Sequence, residues 1–81
     1  MRVVFTDPFL RRFKKLPIQT KKKFERQLAF LLANLHHPSL HAKKYDETRD
    51  IWQRRVDRSY RFYFRIQGDI YVILAIMKHL K

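Results

Sequence analysis

The stretch IWQRRVDRSYRFYFRI, from Ile51 to Ile66, leaves a chain like this few ways to fold. Its aromatic and β-branched residues favour strands, yet five arginines run through it with Asp57 as the only acid. Successive side chains on a strand point to opposite faces, so parity decides where that charge goes. Over Tyr60 to Ile66, one face carries Tyr60, Phe62, Phe64 and Ile66, and the other Arg61, Tyr63 and Arg65. Over Ile51 to Val56, Trp52 and Val56 suit a core, while Ile51, Gln53 and Arg55 share the opposite face. Arg54 has core parity, as at a twisted edge, and Arg58 falls in the bend. Ile70 to Met77 is apolar in both parities, which fits a strand that is central or covered on both sides. Gln67-Gly68-Asp69 joins the last two strands and holds the only glycine, where a tight hairpin needs positive φ. His79 follows the parity of Tyr71, Ile73 and Met77.

The first half of the chain has helical periodicity. Arg2 to Phe5 is a short β-like segment, and Thr6 or Asp7 can cap a helix with Pro8 in its first turn. Phe9, Leu10, Phe13 and Leu16 fall on one face of that helix. Pro17 ends it and can start the next, in which Phe24, Leu28, Leu31, Leu32 and Leu35 form an apolar stripe. Lys21, Lys22, Lys23 and Arg26 load the N-terminal half of this second helix with cations, against the preference of the helix dipole for anions there. The expected fold class is α+β, as one domain over residues 1–81. An N-terminal strand and a helical hairpin precede a twisted antiparallel sheet of about four strands, in the order β-α-α-β-β-β-β.

Charge narrows the function classes. Nineteen Lys and Arg against seven Asp and Glu leave a net charge of +12 on 81 residues. Such self-repulsion opposes folding, so a polyanion or an acidic partner is expected to neutralise it. Opposed like charges also destabilise a sheet, so a face gathering Arg55, Arg61, Arg65 and Lys43 or Lys44 points to a bound anion. The absence of cysteine excludes disulfides, zinc–thiolate sites and thiol nucleophiles. His36, His37 and His41 lack a nearby acid ahead of them, so neither a metal nor another cofactor is expected. No apolar stretch approaches the roughly 20 residues that span a bilayer, and MRVVFTDPF has no apolar core of a signal peptide. A cytoplasmic, membrane-free protein is expected.

At this point the sequence resembles the RelE/ParE superfamily of bacterial and archaeal toxins. The resemblance spans nearly the whole chain: the basic helical hairpin, HPSL then KK, IWQRRV followed by SYRFYF, and a last strand IYVILAIMKH ending in His79. The C-terminal half looks most like the RelE and YoeB branches, which are messenger-RNA interferases. By position, Arg61 matches the family's phosphate-contacting arginine and Arg55 a basic position on the preceding strand. His79 matches the C-terminal histidine that YoeB-like members use in acid–base chemistry. Lys43 and Lys44 match the basic strand leading into the sheet. Three positions depart from the pattern. Gln53 stands where RelE has a lysine, Leu80 and Lys81 replace the C-terminal tyrosine, and the YoeB glutamate has no clear counterpart.

What the resemblance implies is a type II toxin, a metal-independent endoribonuclease that cleaves mRNA on the ribosome by 2′-OH attack on the adjacent phosphate. That reaction needs a base, an acid and cations that stabilise the phosphorane. Arginine stays protonated, so Arg55 and Arg61 can only bind and stabilise charge. His79 is suited to acid–base work, since unperturbed histidine titrates at about 6.5. Lys43 or Lys44, among many cations, could serve as the base. Arg65, Tyr63, Arg58 and Gln53, with Lys21, Lys22, Lys23 and Arg26, form the expected RNA-binding surface. The implied partners are mRNA, ribosomal RNA and an acidic antitoxin that covers the cations with a helix or an added strand. Two alternatives remain: a ParE-like inhibitor of DNA gyrase, and a degenerate binding protein of the same fold.

Overall fold

A computed structural model describes residues 2–33 and 43–79. The elements are β1 (Arg2–Phe5), α1 (Asp7–Phe13), α2 (Ile18–Ala33), β2 (Lys43–Asp46), β3 (Ile51–Arg55), β4 (Tyr60–Gln67) and β5 (Ile70–Lys78). Leu35 of the expected apolar stripe and His36, His37 and His41 lie outside the described residues. No described helix is long and apolar enough to cross a membrane.

The strands form one five-stranded sheet in the order β1-β5-β4-β3-β2. Strands β2 to β5 pair antiparallel with their sequence neighbours, as alternation and local connections dictate. Gln67 pairs with Ile70, so Gly68-Asp69 is a two-residue loop. Gly68 has φ +60°, and Asp50 is the other described residue with positive φ, so the first loop position alone takes the conformation that glycine permits. The N-terminal strand makes the sheet mixed. β1 runs parallel to β5, with Val3 opposite Tyr71 and Phe5 opposite Ile73. The helices follow β1, the chain re-enters the sheet at β2 on the opposite edge, and β3 and β4 bring it back to β5 beside β1.

Thr6 is the N-cap of α1: its extended backbone lets Oγ1 accept the Phe9 N–H at 3.4 Å. Phe9, Phe24 and Leu31 seal the helices against Val56, Phe62, Phe64, Tyr71, Ile73 and Ile76 of the sheet side. Aromatic contacts carry this seal. Phe24 meets Phe9 at 5.2 Å and Phe62 at 4.9 Å, and Phe62 continues to Phe64 at 5.8 Å. Leu10, expected on the buried face of α1, is 44% exposed. Phe9 and Phe13 occupy the inward stripe of this seven-residue helix, and Leu10 is turned about 100° from Phe9. Leu32 is likewise exposed, while Leu28 packs against the core. The helices therefore cover one sheet face and leave the other open.

Candidate functional site

The open face is built from the odd-numbered residues of β3 and β4. Arg55 lies directly opposite Arg61, and Gln53 directly opposite Tyr63. Two arginines at a directly opposed position repel, so an anion between them would relieve the sheet. Arg61 is half-buried and Arg55 exposed. Arg61 is held by its own turn: Nη1 donates to the Asp57 carbonyl at 2.9 Å and to the Tyr60 carbonyl at 3.1 Å. Asp57 organises the bend from 56 to 59, its Oδ1 accepting the N–H groups of Ser59 at 2.7 Å and Tyr60 at 2.8 Å. Arg58 is exposed on that bend.

His79 reaches this face because β5 is irregular. Phe64 pairs with Ile73 but Tyr63 pairs with Ala75, so Leu74 is an extra residue, a β-bulge. Before the bulge, Tyr71 and Ile73 share the helix-covered face; after it, the parity inverts. Ile76 is buried opposite Phe62, and Met77 stands opposite Arg61. The ladder continues past the strand, as the His79 N–H donates to the Ser59 carbonyl. His79, one residue past β5, thereby keeps the parity of Met77, the residue opposite Arg61, and not that of Tyr71 and Ile73.

The remaining positions divide between the two faces. Tyr63 makes an edge contact with Tyr45 at 4.8 Å, and Tyr45 is 60% exposed. Burial, then the neighbouring Tyr45, push the Tyr63 phenol above its ordinary value, so it stays protonated at neutral pH and cannot serve as the base. Arg65 Nε donates to the Arg49 carbonyl at 3.2 Å, which fixes it toward the β2–β3 turn. Lys43 pairs with Gln53 in the ladder. Lys44 does not join the site. It stands opposite Trp52, with Nζ 4.9 Å from that ring and 2.6 Å from Asp50. The hydrogen bond to Asp50 raises its pKa, the reverse of what a base requires. Strand alternation is the reason: adjacent residues 43 and 44 cannot serve the same face.

Of the basic cluster on α2, Lys23 approaches the sheet end, with Nζ 3.8 Å from Asp57 Oδ2. Lys21 lies over the Phe13 ring at 5.8 Å, toward α1. Lys22 and Arg26 are exposed on the helix and have no described tie to the arginine face.

Comparison with known proteins gives this arrangement a family. Residues 3–81 match the model of the ParE toxin of type II toxin-antitoxin system, parDE. The chain belongs to this toxin family. No curated protein matches the sequence. Among solved structures, the YoeB/ParE toxin from Agrobacterium tumefaciens superposes with a TM-score of 0.83 at 14% identity, covering 99% of this chain and 100% of that one. The isolated E. coli RelE toxin gives 0.78 at 14% identity, covering 99% and 85%. A chain of the heterotetrameric YoeB-YefM toxin-antitoxin complex from Staphylococcus aureus gives 0.79 at 15% identity, covering 99% and 98%. At these identities the likeness shows a shared fold.

Within this ParE-family fold, one cation departs from its expected place. Arg54 is not at a twisted edge: β3 lies between β2 and β4, and Arg54 is fully buried on the helix side. Its guanidinium sits 5.9 Å from the Phe62 ring, and Nε, Nη1 and Nη2 have no hydrogen-bond partner among the described residues. All seven acids of the chain lie in the described segments, and none forms an ion pair with it. Burial lowers its pKa from the ordinary arginine value to about 10. The folded-state value lies below the unfolded one, so the charge opposes folding at every pH below about 10, and this fades only as the pH rises above about 10. Arg54→Met is therefore expected to stabilise the protein by on the order of 1–3 kcal/mol, with a higher urea midpoint. A lower midpoint would show that the guanidinium is paired in solution.

Sequence reasoning missed Tyr45 and the hydrogen bonds from the Thr6 hydroxyl to the carbonyls of Ile73 at 2.9 Å and Leu74 at 3.0 Å. An aromatic inside the basic segment KKYD was the available signal for the first. Nothing local signalled the second.

Proposed function

We propose that this toxin is an endoribonuclease that cleaves messenger RNA by attack of a 2′-OH on the adjacent phosphate. One observation carries the reading: the β5 bulge brings His79 to the face of the opposed Arg55–Arg61 pair. A fork of arginine N–H groups suits a phosphate and the charge that grows on it in the phosphorane. His79 supplies an imidazole, the side chain most often used for general acid–base work. Lys43 remains the candidate for the base, and Tyr63 is a donor that can also hold a nucleobase edge-on with Tyr45. Arg58, Arg65 and Gln53 extend the contact surface, and Lys23 with Lys21, Lys22 and Arg26 supports long-range attraction to ribosomal RNA. The complementary partner is an acidic antitoxin, in keeping with the S. aureus YoeB-YefM complex of the same fold.

A second reading rests on the family match itself, since ParE-like members inhibit DNA gyrase. The two part in one experiment. The chain is induced in growing bacteria, mRNA 5′ ends are mapped, and gyrase–DNA breaks are quantified in the same cells. New 5′ ends at fixed positions within codons, lost with His79→Ala, are the expected result. Intact transcripts with accumulating gyrase-linked breaks would overturn the nuclease reading.

A further inference from the structure

The bulge in β5 is contacted from outside the strand. β1 pairs with β5 from Arg2 opposite Ile70 to Phe5 opposite Ile73, and the pairing stops at the residue before the bulge. Thr6 comes next. Its N–H donates to the Ile73 carbonyl at 3.1 Å. Its hydroxyl lies 2.9 Å from the same carbonyl and 3.0 Å from that of Leu74, sharing its single proton between them. A bulge takes a residue out of the ladder and leaves its backbone groups short of partners, and a buried carbonyl left so is costly. Thr6 meets that need at the bulged pair. The same oxygen accepts the Phe9 N–H, so α1, β1 and the bulge are locked through one side chain.

We propose that Thr6 is the positioning residue for His79: its hydroxyl holds the β5 bulge at Leu74 and so fixes which face His79 joins. The functional half of this inference rests on the nuclease reading; the structural half does not. Without the bulge, and with Phe64 kept opposite Ile73, Arg61 would face Ile76 rather than Met77. Every residue from Ala75 to His79 would then change face, and His79 would leave the arginines. The extended, doubly apolar sequence of β5 offers little resistance to such a slip, because both faces of the strand carry apolar side chains.

The test separates capping from clamping. Thr6→Ser keeps the cap and the donor. Thr6→Asp keeps the cap, but a carboxylate has no proton to give the Ile73 and Leu74 carbonyls. Deletion of Leu74 removes the bulged residue itself, so that a regular strand again sets Arg61 opposite Met77 with no need of a clamp. NMR cross-strand contacts read the register directly, and the mRNA-cleavage rate reads its consequence. Thr6→Ser is expected to keep the Arg61–Met77 contact and cleavage within about twofold of wild type. Thr6→Asp is expected to weaken that contact in favour of Arg61–Ile76 and to slow cleavage at least tenfold. Adding the Leu74 deletion to Thr6→Asp is expected to restore both, a rescue that mere loss of stability would not give. Retention of the Arg61–Met77 contact in Thr6→Asp overturns the proposal, as does failure of the Leu74 deletion to restore it. If the wild-type chain cuts no RNA, the nuclease reading fails by itself, and the register measurements alone decide whether Thr6 holds the bulge.

Discussion

Phe62→Ala is expected to lower the stability of the protein by about 3–5 kcal/mol, the range for truncating a fully buried aromatic. Phe62 has no exposed surface and sits where the layers join, with its ring 4.9 Å from Phe24 of α2 and 5.8 Å from Phe64 on its own strand. Its removal would open a cavity between helix and sheet that neither rigid layer can close. It would also take away the ring beneath the Arg54 guanidinium, leaving that buried charge with less compensation. Small domains have little stability in reserve, with typical totals of about 5–15 kcal/mol, so the variant should be partly unfolded at 37 °C. Urea unfolding at 25 °C measures the loss. Phe62→Leu, which keeps most of the volume, should recover the larger part of it. A loss below about 1 kcal/mol for Phe62→Ala would mean that the aromatic chain from Phe9 to Phe64 does not hold the layers together.

How much of this was legible in the sequence depends on the range of the interaction involved. Parity within one strand sorted Phe62 and Phe64 from Arg61 and Arg65 correctly, because one face of β4 is apolar and the other is not. The same reasoning put Arg55 beside Arg61, and the register sets them directly opposite. It could not phase β5. Where both parities are apolar, a one-residue bulge leaves no trace in the hydrophobic pattern, so His79 carried the parity of Tyr71 until pairing with β4 inverted it. Thr6 was readable as a cap from the residues that follow it, but its hold on Ile73 and Leu74 joins positions more than sixty residues apart. The parallel pairing of β1 with β5 is long-range in the same way. Arg54 went astray for another reason. Its parity was right, and the presumption that a charge must find solvent was wrong. Lys44 was grouped with Lys43 as neighbours in sequence, although adjacent strand residues face opposite ways.

Under the proposed nuclease reading, Arg61→Ala is expected to slow RNA cleavage by about 10²–10³-fold, the usual consequence of removing one preorganised donor from a developing anion. The geometry makes Arg61 the strongest candidate for that donor. Its Nη1 is spent on the carbonyls of Asp57 and Tyr60, which aims the guanidinium and lowers the entropy lost when it binds. Nε and Nη2 make no described bond, which leaves one edge of the fork for a phosphate. Arg55, directly opposite, supplies a second cation but lacks any described anchor, so Arg55→Ala should cost less than Arg61→Ala. Arg61→Lys keeps the charge and loses the fork, and its rate should fall between those of Arg61→Ala and the wild type. The lost turn contacts are worth about 1 kcal/mol, too little to unfold the chain, so a urea midpoint measured beside the cleavage rate separates chemistry from folding. Cleavage by Arg61→Ala within about threefold of wild type, with the fold intact, would move the phosphate grip away from the opposed pair. The open face would then be a docking surface for an anion rather than the place where one reacts.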